Sequence, residues 1–125
     1  MKFDLHHEDT YSVIAIKESN LNNMIAPDIK HQFILQANAD SQNALIIDLS
    51  EIEYADSSGL GALLLAFRLY RDNGRTLIFC GIRERVQKLI EISRLENVFK
   101  LAADQQAAIS MLGAAKTDDS AEESA

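Results

Sequence analysis

The sequence predicts an α/β protein with one domain, a mixed β-sheet and four helices. Residues 44–49 are apolar except for one acid, which is typical of a strand that is buried on both faces. After this strand, short apolar segments alternate with segments of helical periodicity, a pattern that predicts parallel strands joined by right-handed crossovers. Before it, two short segments separated by Glu8 and Asp9 predict an antiparallel hairpin. The hairpin makes the sheet mixed.

The first two strands and the first helix are predicted from the N-terminal part of the chain. Phe3 and Leu5 alternate with polar residues, which is the period of a half-exposed strand. The segment 11–16 is rich in β-branched and aromatic residues and predicts the second strand. A polar loop at 18–23 precedes a helix whose start is marked by Pro27. The inward positions of this helix are Ile25, Ile29, Phe33 and Ala37.

The remaining elements follow the buried strand. The helix after it is apolar nearly all round in its first two turns, which is typical of a helix that is covered on more than one side. Its inward stripe is predicted to include Leu60, Leu64 and Phe67. The predicted strands are 76–80 and 98–101, and the predicted helices are 58–72, 82–93 and a last helix that Asp104 caps and Gly113 follows.

Length, charge and cysteine content limit the possible functions. The 125 residues fit one domain, predicted as residues 1–113, followed by an acidic tail at 114–125 that is expected to be disordered because it has little to bury. The net charge of −7 argues against direct nucleic-acid binding. No apolar leader or membrane-length apolar window occurs, and the single Cys80 cannot form an internal disulfide. We expect a cytoplasmic protein.

The segment most informative about function is Tyr-Ala-Asp-Ser-Ser-Gly-Leu-Gly at 54–61, where the predicted helix begins. Asp and Ser are favoured helix caps, so a structural role alone would account for them. The two hydroxyls, however, also lie where the first backbone N–H groups of the helix are unpaired. A phosphoryl group would be tolerated there by the helix and would oppose a partner protein at the same surface. The motif therefore fits a phosphorylation switch.

Catalysis and metal binding have weaker support. The motif lacks the Gly-x-Ser-x-Gly spacing of a nucleophilic serine, and no glycine-rich phosphate loop or paired metal motif is present. His6 and His7 would point to opposite faces of a strand, and His31 is isolated in a helix. We expect no catalytic residue, no metal and no cofactor. The cluster Arg83, Arg85 and Lys88 is interpreted as a solvated helix face in preference to a docking patch.

The segment 54–61, directly after a hydrophobic strand, resembles the signature of the STAS domain, and most of all that of bacterial anti-sigma factor antagonists. The resemblance extends from about residue 8 to residue 112 in the order of strands and helices. Residues 93–99, Ser-Arg-Leu-Glu-Asn-Val-Phe, also resemble the family's stretch before the last strand. The resemblance implies a four-helix, mixed-sheet fold and protein binding without catalysis.

The resemblance also implies partners and site residues. The partner would be an anti-sigma factor with serine kinase activity, whose binding frees a sigma factor, and a serine phosphatase would reverse the modification. The phosphorylated hydroxyl of the family is the first after the Asp, which is Ser57 here, with Ser58 as the second choice. The residues implied to bind the partner are Asp56, Ser57, Ser58, Gly59, Leu60, Asn20 and Asn22.

One loop departs from the family pattern. Family members often carry a Gly-acidic-apolar-Asp stretch that contributes to partner contact, and here it reads Ser19-Asn20-Leu21-Asn22. The changed loop leaves a second interpretation open: a STAS adaptor or scaffold subunit that does not switch, in a signalling or lipid-transport assembly. The apolar helix surface at 60–67 would also fit that interpretation.

Deletion of residues 114–125 should leave thermal stability nearly unchanged, because the segment has no apolar stripe to pack. Thermal melts followed by circular dichroism would compare the shortened and full chains. A fall in Tm of more than about 4–8 °C, which corresponds to roughly 1 kcal/mol for a domain of this size, would contradict the prediction.

Overall fold

The computed structural model describes residues 1–38 and 44–113, so the predicted acidic tail lies outside the described residues. The strands are β1 (Phe3–His7), β2 (Tyr11–Ile16), β3 (Asn20–Leu21), β4 (Ala44–Asp48), β5 (Tyr54–Ala55), β6 (Thr76–Cys80) and β7 (Lys100–Ala102). The helices in the described residues are α1 (Ala26–Asn38), α2 (Ser57–Asp72), α3 (Glu84–Ile92) and α4 (residues 105–113).

Five of the strands form a mixed sheet in the order β1-β2-β4-β6-β7, and β3 pairs with β5 in a separate small sheet. The predicted hairpin is confirmed, because β1 runs antiparallel to β2. The predicted parallel pairing is confirmed as well, since β2, β4, β6 and β7 are parallel neighbours. The fold is therefore the predicted α/β class, with a mixed sheet and four helices.

The sheet is covered on both faces, as the apolar run of β4 predicts. Leu45 and Ile47 belong to the main core together with side chains of α1, α2 and α3. Ile46, between them, belongs to a second cluster that includes Ala108 of α4. All three β4 side chains are fully buried. The alternation follows from strand geometry, which points successive side chains to opposite faces.

The end of the chain differs from the sequence-based expectation in two respects. The last strand begins at Lys100, because residues 96–98 form a turn, and Val98 is 41% exposed. Phe99 is buried, and its ring centroid lies 4.7 Å from that of Phe79 and 5.6 Å from that of Phe67. Gly113 was predicted to follow the last helix, but it is still helical in the described residues.

The inward face of α2 is also shifted from the predicted stripe. Leu63, Ala62 and Ala66 are fully buried, whereas Leu64 and Phe67 are only partly buried against the main core. The difference arises because the first two turns of α2 are apolar on nearly every side, so the pattern does not identify the deepest leucine. Packing of α2 against α1 and the sheet decides which side chain is enclosed.

Leu63→Ala should lower the free energy of unfolding by about 2–5 kcal/mol, the usual cost of a large-to-small change in a core. Leu64→Ala is the matched control, and we expect a smaller loss because part of that side chain already meets solvent. Urea unfolding of the two variants would measure the difference. A larger loss for Leu64→Ala than for Leu63→Ala would show that the placement of the helix is wrong.

Candidate functional site

Residues 54–61, here called the serine motif, span β5 and the first turn of α2. Asp56 is the N-cap residue, with extended backbone angles φ −109° and ψ −177°, and its Oδ1 accepts a hydrogen bond of 2.9 Å from the Gly59 backbone N–H. Ser57 and Ser58 are the first two helical residues, and both are exposed. Neither hydroxyl has a hydrogen bond to another residue that the structure describes. The cap role is therefore performed by Asp56, which leaves the serine hydroxyls available.

The motif is held in place by the pairing of β3 with β5. Asn20 is aligned with Tyr54, and Leu21 with Ala55. One residue further, the Asp56 backbone N–H donates a hydrogen bond of 3.0 Å to the Leu21 carbonyl. The loop that departs from the family pattern therefore lies against the serine motif, although it is far from it in sequence.

The pairing brings together several of the predicted site residues. An open depression of about 160 Å³ is lined by Asn20, Leu21, Asn22, Tyr54, Ala55 and Asp56. Asn22 also organises the start of α1, because its Oδ1 accepts from the Met24 backbone N–H at 3.0 Å. An amide side chain at this position thus still performs the turn-forming role of an Asx residue.

Gly59 and Leu60, which the family resemblance implies as partner-binding residues, are both buried. For Leu60 the burial agrees with its predicted place on the inward stripe of the helix. A Cβ on Gly59 would overlap the Leu21 carbonyl oxygen and lie 2.6 Å from Leu21 Cγ. The space left by the missing side chain is filled by this chain's own Leu21, and not by another molecule. Gly61 is the contrary case, since nothing lies within 4 Å of a Cβ built on it. Leu21 is thus a positioning residue that the sequence pattern did not indicate.

Asp48, at the end of β4, has a structural role. Its Oδ1 accepts from the Ser50 backbone N–H at 2.8 Å, and its Oδ2 accepts from Gln105 Nε2 of α4 at 2.6 Å. Burial alone would raise the pKa of Asp48, but these hydrogen bonds stabilise the carboxylate and hold its pKa below the usual value. Asp48 is therefore an ionised anchor between the sheet and α4.

Cys80 and the histidines have ordinary surroundings. Burial, with the nearby charges of Asp48 and Asp104, raises the pKa of the Cys80 thiol to about 12. His6 Nε2 lies 2.6 Å from Glu8 Oε1, and His7 Nδ1 lies 2.7 Å from Ser12 Oγ. In residues 1–38 and 44–113, no three potential ligands converge on a metal position. No helix in the same ranges has the length and apolar character needed to cross a membrane.

Comparison with known proteins assigns the fold to a family. The STAS domain matches residues 5–108, which is most of the chain and includes the serine motif. The chain belongs to the STAS domain family. It is 26% identical over 101 residues to the anti-sigma-B factor antagonist of Listeria monocytogenes, a match that covers 81% of this chain and 88% of that protein.

Solved STAS structures resemble this fold at lower sequence identity. A STAS domain protein from Planctomyces limnophilus described as an anti-sigma-factor antagonist has a TM-score of 0.80 at 16% identity and covers 89% of this chain and 97% of that one. The Bacillus cell fate determinant SpoIIAA in its phosphorylated form has a TM-score of 0.69 at 19% identity, covering 89% of this chain and 99% of that one. These likenesses confirm the STAS fold that the sequence motif predicts.

Gly59→Ala should destabilise the protein by about 1–3 kcal/mol or more, as overpacking does, because the added methyl group meets backbone that cannot move aside. Gly61→Ala is the matched control two residues away in the same helix. It should keep or raise stability by roughly 0.5–1 kcal/mol, because alanine favours the helix and open space surrounds the position. Denaturant midpoints would measure both. Equal effects of the two changes would contradict the packing of Gly59 on Leu21.

Proposed function

We propose that this protein is an anti-sigma factor antagonist whose binding to an anti-sigma factor is controlled by phosphorylation of Ser57. The observation that carries the proposal is the exposed Ser57 in the first turn of α2, directly after the capping Asp56, with a hydroxyl that has no hydrogen bond to a described residue. Membership of the STAS family and the likeness to named antagonists support the same function. The protein acts in the cytoplasm by binding, and it frees a sigma factor by occupying that factor's inhibitor.

Phosphorylation changes the surface and leaves the fold unchanged. The partner kinase transfers the γ-phosphoryl group of ATP to Ser57 Oγ, and ADP leaves. The new group carries about −1.5 to −2 charges at neutral pH. Backbone N–H groups and the helix dipole at the start of α2 favour negative charge there. The domain therefore tolerates the phosphate, while the partner meets a new charge beside the Asp56 carboxylate.

The proposed contact surface consists of exposed groups around the start of α2. Asp56, Ser57 and Ser58 form one part, and Asn20 with Asn22 forms the adjoining part. Gly59 and Leu60 act beneath the surface by fixing the first turn of the helix. The anti-sigma factor supplies the serine kinase activity in this scheme, and a serine phosphatase restores the hydroxyl.

Ser57→Ala should prevent phosphorylation and keep the protein able to bind its partner, with a change in stability within about 0.5 kcal/mol, because Ser57 is exposed and Asp56 is the cap. Ser57→Asp should keep the fold and weaken the complex, because added negative charge suits the helix but not the interface. Ser58→Ala is the matched control and should still be phosphorylated and released. Each variant would be used to capture proteins from the source cells, and a protein retained by Ser57→Ala and lost with Ser57→Asp would be purified.

The purified partner would then be incubated with the unmodified protein and ATP, and the phosphate located by mass spectrometry. Phosphate on Ser57 is the expected result. Phosphate on Ser58 alone would move the switch by one residue. No phosphate on either serine, with equal partner binding by Ser57→Ala and Ser57→Asp, would contradict the switch and favour the STAS adaptor that does not switch.

A further inference from the structure

Tyr54 connects two depressions at the edge of the serine motif. It lines the depression shared by Asn20, Asn22 and Asp56, and it also lines a second one of about 260 Å³. The lining of the second depression is completed by Glu53, Arg83, Glu84 and Arg85. Tyr54 is 46% exposed although it belongs to β5. The serine motif is therefore continuous, across one aromatic ring, with the start of α3.

Tyr54 is contacted through its backbone and through its ring. The Tyr54 backbone N–H donates to the Ser19 carbonyl at 3.1 Å, which attaches this residue to the loop before β3. The guanidinium carbon of Arg85 lies 4.6 Å from the centroid of the ring, a cation–π distance. Two side chains from distant parts of the sequence thus form one ordered, solvent-facing unit.

The charges in the second depression leave Arg85 without an acidic partner in the described part of the chain. Glu53 lies 3.4 Å from Arg83 Nη1, and Glu84 Oε1 lies 3.4 Å from Lys88 Nζ. Arg83 Nε also donates a hydrogen bond of 2.7 Å to the Ser50 carbonyl. Each carboxylate lining the depression is therefore paired with another cation, whereas Arg85 has a cation–π contact with Tyr54 and no ion pair within residues 1–38 and 44–113. The charges of the lining itself balance, and Lys88 beside it adds one positive charge in a chain whose net charge is −7.

We propose that Tyr54 and Arg85 form a second anchor of the partner-binding surface, and that they bind a segment of the anti-sigma factor that has a carboxylate beside an apolar side chain. The Arg85 guanidinium would bind the carboxylate through paired hydrogen bonds, and the apolar group would pack on the exposed part of the Tyr54 ring. Tyr and Arg are the residue types most enriched at the energetic centres of interfaces. The inference rests on the proposed function and replaces the interpretation of Arg85 as part of a solvated helix face.

The anchor is distinct from the switch in its consequences. Ser57 decides whether the partner is tolerated, whereas Tyr54 and Arg85 select which partner fits. Charge complementarity of this kind increases the rate of association and makes it depend on salt. A variant at Arg85 should therefore change affinity and salt dependence without changing phosphorylation chemistry at Ser57.

The test uses the full, unphosphorylated protein and the anti-sigma factor purified with Ser57→Ala, with affinity measured by calorimetry. Arg85→Glu and Tyr54→Ala should each weaken binding by about tenfold or more, as loss of an interface anchor does. The affinity of Arg85→Lys should lie between those of the wild type and Arg85→Glu, because lysine keeps the positive charge but lacks the planar guanidinium group. Arg68→Glu, a charge reversal at an exposed position near the other end of α2, is the control and should stay within about twofold.

Stopped-flow association at two salt concentrations adds a readout that a purely structural role would not change. Arg85→Glu should reduce the salt dependence of the association rate, and Arg68→Glu should not. Melting curves would check that each variant is folded. If Tyr54→Ala does not fold, Arg85→Glu and Arg85→Lys decide the matter, since Arg85 is exposed.

Wild-type affinity of Arg85→Glu would overturn the anchor while leaving the proposed function intact, provided that Ser57→Asp still weakens the complex. Failure of the wild-type protein to bind any anti-sigma factor would overturn both. Analytical ultracentrifugation of this protein alone would test whether the surface binds a second copy of the chain. If Arg85→Glu dissociates a dimer of this chain and leaves partner affinity unchanged, the surface binds a second copy and the proposal is wrong.

Discussion

The close packing of Gly59 on the Leu21 carbonyl is the contact on which the functional surface depends. A side chain at residue 59 would overlap that carbonyl, so the start of α2 reaches β3 only because a glycine is present. The same carbonyl accepts the Asp56 backbone N–H, which places the cap residue one position after β5. This single contact therefore fixes the first turn of α2, the cap and the neighbouring loop relative to one another.

A rigid first turn explains how a small modification can control an interaction. The buried residues Gly59 and Leu60 position the turn, while Ser57 and Ser58 project from it into solvent. A phosphoryl group added there meets a helix N-terminus that favours negative charge, so folding loses little. A partner that must cover the same turn would have to desolvate that charge, which costs far more. In the proposed function, the switch would therefore act on the interface and not on the stability of the domain.

Much of the fold could be predicted from local patterns. The apolar run of β4 indicated a strand covered on both faces, which the structure confirms. The four-residue spacing indicated the inward face of α1, which is confirmed from Ile29 to Ala37, whereas Ile25 precedes the helix and is only partly buried. Residues whose position depends on distant neighbours were not predictable in this way. A two-residue strand such as β3 has no period, and the turn that buries Phe99 between two other rings has no simple sequence signal.

In the candidate site, too, local features could be predicted from the sequence, and features that depend on distant residues could not. The motif predicts a cap at the start of the helix, because capping is a local property of the chain, but the choice of Asp56 over the serines comes from the structure. Gly59 is implied by the family resemblance to bind the partner, but the structure packs it on Leu21, which is distant in sequence. The stacking of Arg85 on Tyr54 likewise depends on how α3 packs against β5, and neither segment contains a sequence signal for it.

The measurement that tests the account most directly is the affinity of the stoichiometrically phosphorylated protein for the purified anti-sigma factor, with thermal melts of both forms recorded under the same conditions. The account predicts that phosphate on Ser57 weakens binding by at least about tenfold, a change of roughly 1.4 kcal/mol, while Tm stays nearly the same. Equal affinity of the two forms, or a loss of binding that is matched by unfolding of the phosphorylated domain, would contradict it.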